Sequence, residues 1–388
     1  MAPVRILHCH STFSLGGKEA RAVRLMNAFG DRADHKVLSA MPDKLGAREA
    51  IAKSVRVDFP RDAPSLTGPP NPARLWRLAR YMRGFHLVLT YNWGAFDAVM
   101  ARRLYARFLT LPPLIHHEDG FNQDEALRTS PKRDRYRRFG LPAAAALVVP
   151  SARLEAIACE AWGRAAVRIP NGIPVARFAG PPVDEIPGLE RRPGEVVIGT
   201  AAGLRPVKNL PRLVRAVAAM TNKAVRLVIV GEGPESEAIA AQARASGIAA
   251  RLIMPGFLVD PARWIGRFDI FALSSDSEQF PISLIEAMAA GLPAVATDVG
   301  DVSSIVSRDN RPLIVALEDD ESVPQTDSSF AAALDSLADR PDLRRAIGLA
   351  NRERAAAEFD EIPMIQRYAR LYGEAIGRPE TFMQAQFA

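Results

Sequence analysis

The chain has 388 residues, with 50 Lys+Arg against 44 Asp+Glu, a net charge of +6 and an apolar fraction of 48%. That length suits two ordinary domains with a core each, and the balance is that of a soluble globular protein, which excludes collagenous, disordered and disulfide-framed chains. No run approaches the roughly 18 apolar residues of a membrane span. The two cysteines, Cys9 and Cys159, sit in no metal spacing and point to a reducing compartment.

The charge is uneven. Up to Val175 there are 27 basic and 15 acidic residues; the remainder carries 23 and 29. A basic surface serves solubility, or it meets an anionic partner such as a membrane leaflet or an acidic or diphosphate-linked acceptor. No recognition motif for nucleic acid accompanies the charge.

Val4 to His10 reads as a first strand, not a signal peptide, since no long apolar segment follows the start; the expectation is a cytoplasmic protein, with a peripheral place on the inner membrane face left open. The loop Ser11 to Glu19 holds Gly16-Gly17, which lets backbone approach a ligand closely. It lacks the G-x-G-x-x-G of a dinucleotide site, and a plain turn is the simpler account. A helix follows with Ala22, Leu25, Met26 and Phe29 on one face. His35 to Met41 and Val55 to Phe59 are strands, and Ala63 to Pro72 is a proline-rich loop. In Ala73 to Arg83 the arginines 74, 77, 80 and 83 fall on one helix face opposite Leu75, Leu78, Ala79 and Met82. This is an ordinary surface helix or an interfacial membrane helix. The basic segment Lys132 to Arg138 adds to the same charge.

His86 to Tyr91 and Pro113 to His117 are strands, the second ending in His116-His117-Glu118-Asp119-Gly120. Strand side chains alternate, so one histidine faces the site and register decides which. After the strand Ala146 to Ser151, a proline-rich stretch from Pro174 to Gly194 reads as a linker. The second domain opens with the strand Val196 to Ala202 and the loop Gly203-Leu204-Arg205-Pro206-Val207-Lys208-Asn209. A basic pair in a loop at a helix start suits a diphosphate and neutralises it without metal. Arg226 to Gly231 is a strand, and Gly231-Glu232-Gly233-Pro234 a turn in which the glycines read as structural. Asp269 to Leu273 is a buried strand, Ser283 to Ala290 a helix, and Pro293 to Ala296 the next strand. Glu278 in the loop and Glu286 on the helix frame this turn. The helix start favours phosphate, and a carboxylate two turns in can take two adjacent ribose hydroxyls. The plain alternative is a solvated Glu278 and a surface-paired Glu286.

The segment E-Q-F-P-I-S-L-I-E-A-M-A-A-G-L-P-A-V-A-T-D-V-G resembles the E-x7-E motif of the family 4 retaining glycosyltransferases. Gly16-Gly17 with Glu19, Pro170-Asn171-Gly172 with Phe178, Lys208-Asn209, the G-x-G-P at Gly231 and Tyr368-Ala369-Arg370-Leu371-Tyr372 resemble further signatures of that family. The resemblance implies an α/β fold of two Rossmann-like doubly wound domains facing a central cleft (GT-B). The first spans 1–175, on the acceptor side, and the second 176–361, binding the nucleotide sugar. A last helix at about 362–388 packs back on the first. It implies transfer of a hexose-type sugar from a nucleoside-diphosphate sugar to a glycan or lipid-linked acceptor hydroxyl, with no metal and no cofactor. By resemblance, His116 (His117 the close second) and Glu278 flank the sugar, Lys208 and Arg205 hold the diphosphate, and Glu286 holds ribose. Gly16, Gly17 and the Phe280-Pro281-Ile282 backbone complete the donor site. The family pattern places an arginine five residues before the lysine; here that position is Gly203, and Arg205 lies two residues later. This departure leaves open a degenerate binding protein on the same fold; a nucleotide-sugar epimerase on that fold is the other alternative.

Overall fold

A computed structural model describes residues 2–14, 16–121, 125, 130–317 and 323–383. The chain divides into two compact units, Met1–Gly172 with Glu361–Ala388, and Ile173–Asp360. Leu15 of the glycine loop and the expected helical tail 384–388 lie outside the described residues.

In the first unit, β1 (Val4–His10), β2 (Ala33–Ser39), β3 (Arg56–Asp58), β4 (Leu87–Tyr91), β5 (Leu114–His117), β6 (Ala146–Val149) and β7 (Val167–Arg168) form one sheet in the order β3-β2-β1-β4-β5-β6-β7. Every pairing in it is parallel. Strands of such a sheet are covered on both faces, which is why β4 is buried at every position and is apolar but for Thr90 and the Tyr91 hydroxyl. The second unit repeats the plan with β8 (Val196–Ala201), β9 (Val225–Val230), β10 (Leu252–Gly256), β11 (Ile270–Leu273), β12 (Ala294–Thr297) and β13 (Ile314–Val315), ordered β10-β9-β8-β11-β12-β13. Each sheet reverses its winding once, between β1 and β4 and between β8 and β11. Doubly wound sheets bind ligands outside the carboxyl ends of the strands at that reversal.

Local chemistry explains the helix boundaries. Asn71 caps the helix Pro72–Met82 by accepting from the Arg74 N–H at 2.9 Å, and Pro72 supplies a preset φ at its first position. Arg74 departs from the expected exposed arginine stripe. It is buried, bonds the loop carbonyls of Gly68 and Pro69 and pairs with Asp97, so Arg77, Arg80 and Arg83 alone remain on the outer face. The last long helix is Glu361–Ala375, shorter than expected because Gly377, at φ +67, turns the chain out of the helix. Its Met364, Ile365, Tyr368 and Tyr372 join the core of the first unit beside Leu25, Phe29 and Leu89.

Candidate functional site

At the reversal of the second sheet, two loops meet. The loop after β8 carries Lys208, and the loop after β11 carries Glu278. The Lys208 ammonium donates to Glu278 Oε1 at 2.5 Å, and the Ser275 hydroxyl donates to the same oxygen at 2.7 Å. Both charged side chains keep a little exposure, 16% and 10%.

A polar clamp joins the loops. Asp276 N–H donates to the Val207 carbonyl at 2.8 Å, and the Ser274 hydroxyl to the Lys208 carbonyl at 3.0 Å. Asn209 stands in the left-handed region at φ 40, caps the helix Leu210–Ala219, and donates to the Asp276 carboxylate at 3.0 Å. Buried Arg212 donates to Asp276 at 2.6 Å and to the Ser274 carbonyl at 3.0 Å. From β12, Thr297 donates to the Ser275 carbonyl at 2.6 Å. Lys208 and Glu278 are therefore fixed to each other through backbone on both sides. Gly300, at φ +59, closes the same loop from above: a Cβ there would lie 2.2 Å from the Glu278 carbonyl oxygen. Gly233 has a matching packing role, since its Cβ would meet the Leu204 carbonyl oxygen at 2.3 Å. The G-x-G turn thus packs on the loop that carries Arg205.

Arg205 bears on the Gly203 departure. Its Nε lies 3.8 Å from where a Cβ on Gly203 would stand, so its guanidinium stem folds back over that position. The helix Ile282–Ala289 starts at Pro281 with no side-chain cap, leaving first-turn N–H groups for an anion. Pro281 has no N–H of its own, so the backbone donors at this turn are those of Phe280 and Ile282. The Phe280 ring turns inward against Phe359, with centroids 5.9 Å apart. Glu286 is half-buried on the same helix, four residues in.

In the first unit, Gly16 and Gly17 are exposed at the start of the helix Gly17–Phe29, again without a side-chain cap. Glu19 turns back and pairs with Lys18; burial raises its carboxyl above the usual range against the pull of that lysine. Sequence reasoning missed the polar centre of this end of the sheet. Arg21, buried, grips Asp119 with two N–H groups and donates to Asn171 at 2.7 Å. Burial would push the Asp119 carboxyl up, but Arg21 holds it below the usual range. Arg24 donates to the Gly172 carbonyl at 2.7 Å, so the P-N-G segment is tied to the first helix. The available signal was Arg21 itself, a cation next to Ala22 on a face otherwise headed for the core.

The two strand-end histidines point to opposite sides of the sheet. His117 bonds the Tyr372 hydroxyl at 2.8 Å and stacks on Tyr91, and burial lowers its pKa to about 3. His116 bonds the Thr90 hydroxyl at 2.8 Å and meets the Phe96 ring edge-on. Each is 1% exposed. The His116 ring also lies 3.7 Å from the Glu118 carboxylate. Among the described residues, no group of three or more His, Cys, Asp or Glu side chains comes together as a metal site. No helix among them is long and apolar enough to cross a membrane.

Residues 5–177 match the family model "Glycosyltransferase Family 4", and residues 184–354 match "Glycosyl transferases group 1". The N-acetyl-alpha-D-glucosaminyl L-malate synthase of Bacillus anthracis is 25% identical over 47% of this chain and 46% of its own. The chain thus spans about half the length of that curated relative. The GDP-mannose-dependent alpha-mannosyltransferase of Mycobacterium tuberculosis is 27% identical over 71% of this chain and 74% of its own. Among solved structures, HepE of Anabaena, crystallised with UDP and glucose, superposes with a TM-score of 0.75 over 96% of this chain and 100% of its own, at 17% identity.

Proposed function

The chain belongs to the family 4 glycosyltransferases of GT-B fold, and from that premise we propose that it moves a hexose-type sugar from a nucleoside-diphosphate sugar to an acceptor hydroxyl, with retention, in polysaccharide or glycolipid assembly. The observation that carries this reading is the Lys208–Glu278 pair, clamped at the strand reversal where a doubly wound sheet binds ligands. The relatives named for mannosyl and glucosaminyl transfer, and the fold neighbour holding UDP and glucose, support it.

In this proposal the donor diphosphate lies against Lys208 and Arg205 and the free N–H groups at the start of the Ile282–Ala289 helix. Glu286 takes the ribose hydroxyls. Glu278 faces the sugar. The bond from the anomeric carbon to the diphosphate breaks as the acceptor oxygen bonds to the same face, and the acceptor proton passes to the departing phosphate oxygen. No protein nucleophile is needed. The lysine charge matters most as negative charge builds on the leaving group. His116 flanks the sugar from the end of its strand. The setting is cytoplasmic, with the basic first unit meeting an anionic membrane surface and a glycan or lipid-linked acceptor presented there.

The test is a thermal-shift screen against UDP, GDP, ADP and their sugars, with magnesium and with a chelator. A ligand that binds the folded state alone raises the melting temperature by mass action. One nucleoside diphosphate should stand out, equally in both conditions. No shift with any of them would favour the degenerate binding protein, for which the Gly203 departure is the specific sign. Conversion of the donor sugar without acceptor would favour the epimerase.

A further inference from the structure

From one edge of the first unit we infer a docking surface for an anionic membrane, built from Phe108 and Phe139 with Arg103, Arg107, Lys132 and Arg135. It deepens the membrane-facing part of the function proposed above and rests on that part alone. Phe108 and Phe139 are 63% and 48% exposed, the most open phenylalanines among the described residues of this unit. They belong to two neighbouring elements, the turn after the helix Phe96–Tyr105 and the end of the helix Pro131–Gly140. Arg103 joins them: it donates to the Phe139 carbonyl at 3.0 Å and its guanidinium lies 4.9 Å from the Phe139 ring. Arg107, one turn on from Arg103, stands 4.6 Å from the Phe108 ring. Lys132, Arg135 and Phe139 fall three and four residues apart on the exposed side of their helix.

The charge on this edge is not cancelled from within. Among the described residues no carboxylate pairs with Arg103, Arg107, Lys132 or Arg135. The nearest acids in sequence are engaged inward, Asp97 on Arg74 and Asp134 on Arg137 and Trp162. Rings set among unpaired cations match an interface in which headgroup phosphates take the arginines and the rings enter the acyl boundary. A nucleic-acid duplex, whose bases are already stacked on one another, would use the same cations but would have no use for the exposed rings.

The experiment is co-sedimentation of the full chain with vesicles of phosphatidylcholine containing a third phosphatidylglycerol, against pure phosphatidylcholine and against a short DNA duplex. Wild type should bind the anionic vesicles and leave them as salt rises. Each basic side chain near such a surface is worth about fivefold in partitioning, so Arg103→Glu/Arg107→Glu should bind at least about twentyfold more weakly. Phe108→Ser/Phe139→Ser should also lose binding to vesicles. Arg308→Glu/Arg311→Glu, two exposed arginines of the other unit, makes the same change in net charge and should bind as wild type does. Equal loss in the control pair, unchanged binding in the phenylalanine variant, or duplex binding as tight as vesicle binding overturns the inference, as does no vesicle binding by wild type. Nucleotide shifts measured on the same samples without vesicles keep the donor-site reading separate.

Discussion

Gly300→Ala tests whether the loop over Glu278 is held at catalytic tolerance. A Cβ at this position would lie 2.2 Å from the Glu278 carbonyl oxygen and 2.8 Å from its carbonyl carbon, and the residue sits at φ +59. Contacts under 3.0 Å do not persist, so the Glu278–Gln279 backbone must shift by about 0.8 Å or more. Alanine in the left-handed region costs about 1 kcal/mol before any displacement. With loop strain added we expect about 2–3 kcal/mol, which for a unit of this size lowers the melting temperature by roughly 4–10 °C. Misplacing a reacting group by about 1 Å costs on the order of a hundredfold in turnover. Calorimetry supplies the melting temperature, and release of nucleoside diphosphate from the donor supplies kcat. Gly203→Ala is the internal control: its Cβ would meet nothing nearer than the Arg205 Nε at 3.8 Å, and its φ is unstrained. It should be near neutral in stability. If Gly300→Ala matched Gly203→Ala in melting temperature and turnover, the reasoning that the loop is sterically fixed would be wrong.

Lys208→Ala should lose about 10²–10³ in kcat with a small change in KM, the pattern of a group that stabilises developing charge, read by steady-state kinetics. Glu286→Ala should instead weaken nucleoside diphosphate binding by about 10–100-fold, as titration calorimetry would show. Acid should destabilise the first unit earlier than its carboxylates predict. Burial lowers His117 to about 3 and His35 to about 4, and lowers His8 and His10 as well. The unfolded chain takes up these protons near pH 6.5 while the folded chain does not, so stability is full above that pH and falls as pH drops toward the folded values, by up to about 1.4 kcal/mol per unit for each histidine. Melting temperatures from pH 8 to 5 should show this slope, and His35→Phe should flatten it.

The stretch around Glu278 was the most legible part of the chain. Its strand, helix and strand were expected at Asp269–Leu273, Ser283–Ala290 and Pro293–Ala296 and stand at Ile270–Leu273, Ile282–Ala289 and Ala294–Thr297. Apolar runs and a stopping glycine are local signals, and one turn holds them all. The Arg21–Asp119–Asn171 centre was not legible, because its partners lie 98 and 150 residues apart and nothing local marks the pairing. Periodicity placed Arg74 outside with Arg77 and Arg80. The loop carbonyls it satisfies became visible only once the preceding proline-rich loop was folded over it. Asn209 read only as the end of a loop; its left-handed backbone and its bond to Asp276 depend on a loop 67 residues away.

The return of Glu361–Ala375 to the first unit has a consequence for synthesis. Residues 173–360 form a continuous unit, complete once Asp360 has left the ribosome. The first unit, begun earlier, cannot finish, because Tyr368 and Tyr372 fill its core and the Tyr372 hydroxyl meets buried His117. Until then a face made of Leu25, Phe29 and Leu89 stays uncovered. The half of the chain translated first is thus the half that closes last, and for the interval in between it is the natural client of a chaperone that holds apolar surface.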